Sequence, residues 1–298
     1  MISFAIVNWN GGNVFRQSIS SIIAEAEREQ LSYEIVVVDN GSTDDSFEWL
    51  DRIPNVRLYR NGSNRMFSKA TNQSVRLAKG STLIILNNDV VLVSGCLEKL
   101  IPASNQADAA VPRLINPDGT QQLSIRGIPG LIDVLAEAMG LGAFLSSADR
   151  WIKRRFKYDI KQFVEQPMFS AIIMRRETWS QVGDLDTGMP LLFNDVDWFR
   201  RFQRLAMKCL YVPDAHAVHF HGMSVNRNRF RRIVSSTVGL TRYFQKDKSP
   251  YWMPVVLLVA TLTFWGRIVV ELLKSVRLVH PRSFYATFHR HRRKASGV

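Results

Sequence analysis

Three apolar runs in the first third of the chain each end in a polar cluster, and this repeat restricts the possible fold more than any other feature. "ISFAIVN" runs into "WNGG", "YEIVVVD" into "NGSTDD", and "STLIIL" into "NND". Runs this rich in β-branched residues read as strands buried on both faces. Between them, "RQSISSIIAEAEREQ" and "MFSKATNQSVRLAKG" carry helical periodicity, the second ending at a glycine. "NGSTDDSFEWLDRI" reads as a turn with a helix start, and "VRLYRN" as a further strand. Strands alternating with helices at this spacing predict an α/β chain with a mostly parallel central sheet flanked by helices. In open sheets of that kind the ligand crevice lies beyond the carboxyl ends of the strands. The polar clusters would gather there. Between Pro112 and Gln166 the rhythm weakens, with "LIDVLAEAMGLGAFL" reading as helical, and it returns in "FSAIIMRRETWSQVG" as a strand and a short helix.

Charge divides the chain. The net charge is +13 over 298 residues. Residues 1–226 hold 24 Lys and Arg against 24 Asp and Glu, whereas residues 227–298 hold 15 against 2. The step predicts a main domain over 1–226 and a basic helical extension over 227–298. In "RNRFRRIVSSTVGLTRYFQK", Phe230, Ile233, Val234, Val238, Thr241 and Phe244 fall near one face, as in an amphipathic basic helix. Tyr251 to Gly266 then run 16 residues without a charge, short of the roughly 20 that a membrane span needs. Trp252 and Trp265 flank that run and suit interfacial anchoring. The expectation is a helix lying in, or dipping into, an anionic membrane surface, with "HRHRRKASGV" at the headgroups, the alternatives being one true span or a soluble core helix. Nucleic acid is an unsuitable partner, because the charge is interleaved with apolar residues and no nucleic-acid motif accompanies it. Cys96 and Cys209 lie in apolar surroundings without metal-type spacing and read as buried thiols of a reducing compartment. "MISFAIVNWNGG" lacks the basic start of a secretion leader, so cytoplasmic exposure is expected.

The carboxylates carry the chemistry. No glycine-rich phosphate loop is present, so a diphosphate ligand would need another counter-charge, and a divalent cation is the natural one. Asp39 suits either an Asx-type turn or a contact to a nucleoside. Asp89 with Asn87 and Asn88 offers oxygen donors suited to Mg2+ or Mn2+, or a plain polar turn. In "DAHAVHFHG", His219 and His221 share one strand face and His216 takes the other, which fits a metal ligand or a hydrogen-bonded core histidine. In "FNDVDWFRR", Asn194 reads as a helix N-cap, with Asp195 and Asp197 pointing about 200° apart on the helix. Asp197 has Arg200 and Arg201 for a surface ion pair. Asp195 faces Trp198 and Phe199 at those offsets, so its proton affinity should rise, as a general base requires.

Seven motifs in order, "VNWNG", "VVVDNGSTDDS", "NRMFSKATN", "LNNDV", "AIIMRRETWSQVGDLD", "FNDVDWFRR" and "HFHGMS", run from Ile2 to about Ser224. The chain resembles the family 2 inverting glycosyltransferases, especially the rhamnosyltransferase-like members that build bacterial cell-surface polysaccharides. The resemblance implies the GT-A nucleotide-diphospho-sugar transferase fold, with 112–166 as an acceptor-side insertion. It implies that Asp39 touches the donor nucleoside, that Asn88 lies near ribose or phosphate, and that Asn8, Asn10, Asn64 and Asn72 add donor contacts. Asp89 would bind a divalent metal, with His219 as a further metal or phosphate contact, and Asp195 would be the base. The implied donor is dTDP-L-rhamnose, with UDP-hexoses or UDP-N-acetylhexosamines as alternatives. The acceptor would be a polyprenyl-diphosphate-linked or free saccharide, met at the cytoplasmic face of the membrane. Four positions depart from the family pattern: Asn194 for glutamate, and Met66, Ser74 and Asp184 for glycines. Asn194 also raises the competing reading of a non-catalytic nucleotide-sugar-binding scaffold, against which stand the retained Asp39, Asp89 and Asp195.

Overall fold

The computed structural model of the protein describes residues 1–130, 133–134, 156–220, 229–247 and 253–275. The apolar runs form parallel strands: β1 (Ile2–Asn8), β2 (Tyr33–Asp39), β3 (Val56–Arg60) and β4 (Thr82–Asn87), in the order β3-β2-β1-β4. Their register sets Asn8 opposite Asp39 and Val7 opposite Asn87, so the polar ends lie level along one edge. Helix α1 (Gly12–Arg28) leads from β1 to β2 on one side, and α2 (Phe67–Leu77) leads to β4 on the other side of β1. The reversal of direction at β1 opens a crevice beyond the ends of β1 and β4. Gly11 floors it, since a Cβ there would meet Asn8 Oδ1 at 2.6 Å and Asn88 Nδ2 at 2.8 Å.

The chain continues through β5 (Val90–Leu92), α3 (Cys96–Ala103), β6 (Ala109–Ile115), β7 (Ile125–Arg126), β8 (Gln162–Val164), β9 (Gln166–Pro167) and β10 (Ala171–Arg175). Helices α4 (Arg176–Val182) and α5 (Asn194–Arg204) precede the long strand β11 (Cys209–His219). Strand β10 lies antiparallel between β4 and β6, and β11 runs parallel to β6. The short β5 and β8 are antiparallel to β11. A separate ribbon pairs β7 with β9.

Apolar clusters cover both faces of the sheet. Phe15, Ile19 and Ile22 of α1 and Leu97 and Leu100 of α3 fill one. The other is aromatic: the Trp198 ring centroid lies 5.7 Å from that of Trp179 and 5.3 Å from that of Phe202, both stacked, with Phe169 edge-on at 5.3 Å. Each fully buried large side chain contributes roughly 1.5–3 kcal/mol. Trp198 and Phe199 therefore anchor α5 to the sheet.

Some expectations change. The stretch after Asp39 forms no α-helix, only a 3-10 turn at Leu50–Arg52, because its side chains bond among themselves. Helix α2 stops at Leu77, short of Gly80. The helical reading of 131–145 falls outside the described residues apart from Asp133 and Val134, as does His221. The basic extension packs on the main body. Helices α6 (Arg229–Asp247) and α7 (Met253–Ser275) share one apolar cluster with Met189 and with Val196 of α5. The buried side of α6 is Ile233, Leu240, Tyr243 and Phe244, while Val238 points outward, so the face is rotated from the one expected. Among the described residues no helix is long and apolar enough to cross a membrane.

Candidate donor and catalytic site

The strand ends are tied together by side chains. Asn8 Nδ2 donates to Asp39 Oδ1 (2.9 Å) and to Ser46 Oγ (2.8 Å). Asp39 also accepts from Ser42 Oγ (2.5 Å) and from the Ser42 N–H (3.0 Å), closing an Asx-type turn. Asn10 Oδ1 accepts from the Thr43 N–H at 2.7 Å and fixes the next residues of that loop. Asn64 joins through Asn40, whose Nδ2 donates to Asn64 Oδ1 at 3.0 Å. Asn88 Nδ2 donates across the crevice to Asn8 Oδ1 at 3.1 Å. Asn8, Asn10, Asp39, Asn64 and Asn88 thus form one polar wall. Asn72 does not join it. Its buried amide makes reciprocal bonds with the Leu185 backbone (2.8 and 2.9 Å), so it brackets the loop before α5.

At the far end of the wall, His219 Nε2 lies 3.3 Å from Asp89 Oδ1, both residues being buried. His219 Nδ1 lies 2.7 Å from Gln122 Oε1, and the Gln122 amide is oriented by its bond to Asn116 Oδ1 (3.0 Å). Were Nε2 to ligate a cation shared with Asp89, Gln122 Oε1 would hold the proton on Nδ1 and orient the ring. Among the described residues no three His, Cys, Asp or Glu side chains converge. An ion here would complete its shell with substrate phosphates and water, as Mg2+ commonly does. The residues fit a divalent metal.

Asp195 sits in the first turn of α5, partly accessible but closely surrounded by protein. Desolvation raises its pKa above the usual carboxylate range, opposed by the Val196 N–H (2.9 Å to Oδ1), by the charge of Arg126 and by Gln166 Nε2 (3.1 Å to Oδ2). Arg126 and Gln166 are paired across the β7–β9 ribbon. Neither is near Asp195 in the chain, so no local pattern links either of them to it. Replacing Gln166 with leucine removes a bond that favours the charged carboxylate. The Asp195 pKa should rise further, and the acid limb of a kcat/KM–pH profile should move to higher pH. An unmoved limb would separate Gln166 from the base.

Asn194 is not the cap. Phe193 precedes the helix in the left-handed region (φ 67°), and the buried Asn194 amide donates to Ser68 Oγ (3.0 Å) and Met189 O (3.4 Å). A glutamate could not donate to both, so Asn194 is fitted to its neighbours. Asp197 is likewise not a surface ion-pair residue. It is fully buried and bonded to Arg200, Arg201 and, from α6, Lys246. Of the remaining departures, Asp184 and Ser74 have local reasons and Met66 has none in the structure. Met66 adopts φ 70°, ψ 164°, a conformation natural to glycine that costs another residue about 1–3 kcal/mol, and its N–H is held by Asn64 Oδ1 (2.8 Å). Asp184 accepts from Trp179 Nε1 (3.2 Å) and pairs with Arg76 (2.8 Å). Ser74 Oγ donates to Thr71 O at 2.8 Å within α2.

The polar strand ends thus gather Asn8, Asp39, Asn88 and Asp89 at the crevice that open α/β sheets use for ligands. Residues 3–127 match the family described as Glycosyl transferase family 2. The chain is 27% identical over 265 residues to the N-acetylglucosaminyl-diphospho-decaprenol L-rhamnosyltransferase of Mycobacterium tuberculosis, covering 83% of this chain and 84% of that protein. Its fold is similar to that of the mannosyltransferase PcManGT from Pyrobaculum calidifontis in complex with GDP-Man and Mn2+ (TM-score 0.53, 16% identity, 96% of this chain and 83% of that one). It is also similar to part of the longer GalNAc-T7, solved with UDP, GalNAc and Mn2+ (TM-score 0.55, 19% identity, 74% of this chain and 43% of that one). Residues 3–127 carry a family 2 glycosyltransferase domain, and the chain has the GT-A fold.

Proposed function

We propose that this glycosyltransferase moves L-rhamnose, with inversion, from dTDP-L-rhamnose to a saccharide carried on a polyprenyl diphosphate, at the cytoplasmic face of the cell membrane. The observation that carries the reaction type is Asp195, a carboxylate of raised proton affinity held by Gln166 and the Val196 N–H. The similar mycobacterial enzyme, named for L-rhamnosyl transfer to a diphospho-decaprenol-linked N-acetylglucosamine, supports the choice of donor and acceptor.

The donor lies along the wall of Asn8, Asn10, Asp39, Asn64 and Asn88, with Asp39 at the nucleoside. Asp89 and His219 would hold a divalent ion, which when bound neutralises the donor diphosphate. Asp195 takes the proton of the acceptor hydroxyl. The acceptor oxygen forms its bond to the anomeric carbon as the bond to the diphosphate oxygen breaks on the opposite face, so one inversion results. The electron pair of the broken bond leaves with the nucleoside diphosphate. Asn194, once its hydrogen bonds are accounted for, is no sign of lost catalysis.

A donor panel tests the reading: dTDP-L-rhamnose, UDP-glucose, UDP-galactose and UDP-N-acetylglucosamine, each with Mg2+ or Mn2+ and a short polyprenyl-diphospho-N-acetylglucosamine. Mass spectrometry should show a deoxyhexose added from dTDP-L-rhamnose, and chelation with EDTA should stop the transfer. Faster transfer from a UDP sugar would overturn the donor. Donor binding without transfer would favour the scaffold reading.

A further inference from the structure

Helix α7 has two apolar sides and only one of them is covered. Val256, Val259 and Ala260 are buried in the cluster that includes Leu240 and Phe244 of α6 and Val196 of α5. On the other side Leu257 (51% exposed), Leu258 (59%), Leu262 (59%) and Trp265 (60%) stand open, with the uncharged Thr261 exposed among them. From Leu257 to Trp265 the stripe is about 12 Å long at a rise of about 1.5 Å per residue, against a hydrocarbon core of about 30 Å. A helix crossing that core would also have to leave α6 and strip the covered side.

We infer that the outer stripe of α7 is the seat of an anionic bilayer surface, bound side-on and without crossing. Charge selects this occupant. Residues 1–226 carry no net charge, while residues 227–298 carry 15 basic against 2 acidic residues, so the attraction to an anionic surface is concentrated in the segment that bears the stripe. Apolar contact comes from the leucines, and Trp265 is a residue type that settles at the headgroup boundary. The seat is joined to the chemistry. Cluster contacts run from α7 through α6 to Val196, the neighbour of Asp195, and Lys246 of α6 pairs with Asp186 and Asp197. A surface-bound α7 therefore holds the base close to the interface where a polyprenyl diphosphate presents its sugar. The inference rests on the reading above for the reason a bilayer is near, and on α7 itself for where it touches.

The test is flotation of the full chain with phosphatidylglycerol and phosphatidylcholine vesicles, without donor or acceptor, so the outcome is independent of transferase activity. The parent should float with the anionic vesicles, and part of it should stay bound in about 1 M salt, where screening shortens electrostatic reach to about 3 Å. The double substitution Leu258→Glu and Leu262→Glu should lower the partition coefficient at least about a hundredfold, since burying each leucine is worth roughly ten- to a hundredfold. Both side chains are exposed, so the melting temperature and transfer to a water-soluble acceptor analogue should not change. Equal flotation of parent and double variant overturns the inference, as does failure of the parent to bind. A parent dimer that the substitutions dissociate without loss of vesicle binding would assign the stripe to a second copy and overturn it too. Loss of transfer with vesicle binding intact would count against the transferase reading alone.

Discussion

Asp195→Asn should lower kcat by about a hundredfold to ten-thousandfold, the usual share of a positioned general base, with donor affinity unchanged. The asparagine has nearly the shape of the aspartate and can still accept from the Val196 N–H or from Gln166 Nε2, so the geometry of the turn survives. What it lacks is a site for the acceptor's proton. The substitution should leave stability intact as well. Because desolvation raises the folded pKa of Asp195, its stabilising contribution is complete below the ordinary carboxylate range and is lost as pH rises through the raised value. At neutral pH the charged form carries a folding cost, and the neutral amide does not. Transfer rates, donor titration and a thermal melt together give a distinctive pattern: catalysis lost, binding kept, melting temperature not lowered. Full turnover by this variant would remove Asp195 from the chemistry.

The parts of the fold legible in the sequence are those decided by short stretches. "YEIVVVD" is β2 residue for residue, and "ISFAIVN" is β1, because a parallel strand covered on both faces is apolar throughout and its polar end marks the sheet edge. The separation of Asp195 from Asp197 was also legible, since helical geometry sends them opposite ways. What was not legible depends on partners distant in the chain. Asn194 reads as a cap until Ser68, 126 positions earlier, takes its amide. Gln166 reaches Asp195 across 29 positions through a two-residue strand with no pattern of its own. The helix expected after Asp39 failed for a local reason, because Ser, Asp and Asn side chains offered the backbone a turn that competed with it. For the basic extension, composition could not show that Lys246 and Arg242, two of its 15 cations, pair with Asp186 and Asp197 of the main domain.

Asp197→Ala should destabilise the fold by about 3–5 kcal/mol, the cost of breaking a buried ion pair by removing one side of it. On the surface the same i,i+3 and i,i+4 pairs would be worth about 0–1 kcal/mol, so burial decides the magnitude. Asp197 has 0% exposure and Arg200 only 6%. Arg200 Nη2 donates to Asp197 Oδ1 and Arg201 Nε to Oδ2, each at 3.1 Å, and Lys246 Nζ lies 2.9 Å from Oδ1. Arg200 also donates to the Tyr243 carbonyl (3.2 Å) and lies over the face of the Tyr243 ring (4.1 Å). Lys246→Met should cost about 1 kcal/mol or less, because that lysine is partly solvated. Acid should loosen the same junction. Desolvation works to raise the pKa of Asp186, but Lys246, the Gly188 N–H and Arg242 outweigh it and lower the value. The contribution of Asp186 is therefore present above the unfolded carboxylate value of about 3.9 and is lost as pH falls through the lower folded one. Urea unfolding of the two variants measures both costs. If Asp197→Ala unfolds within about 1 kcal/mol of the parent, the ion-pair network does not hold α6 on α5, and the two aspartates of "FNDVDW" do not divide into one for catalysis and one for the fold.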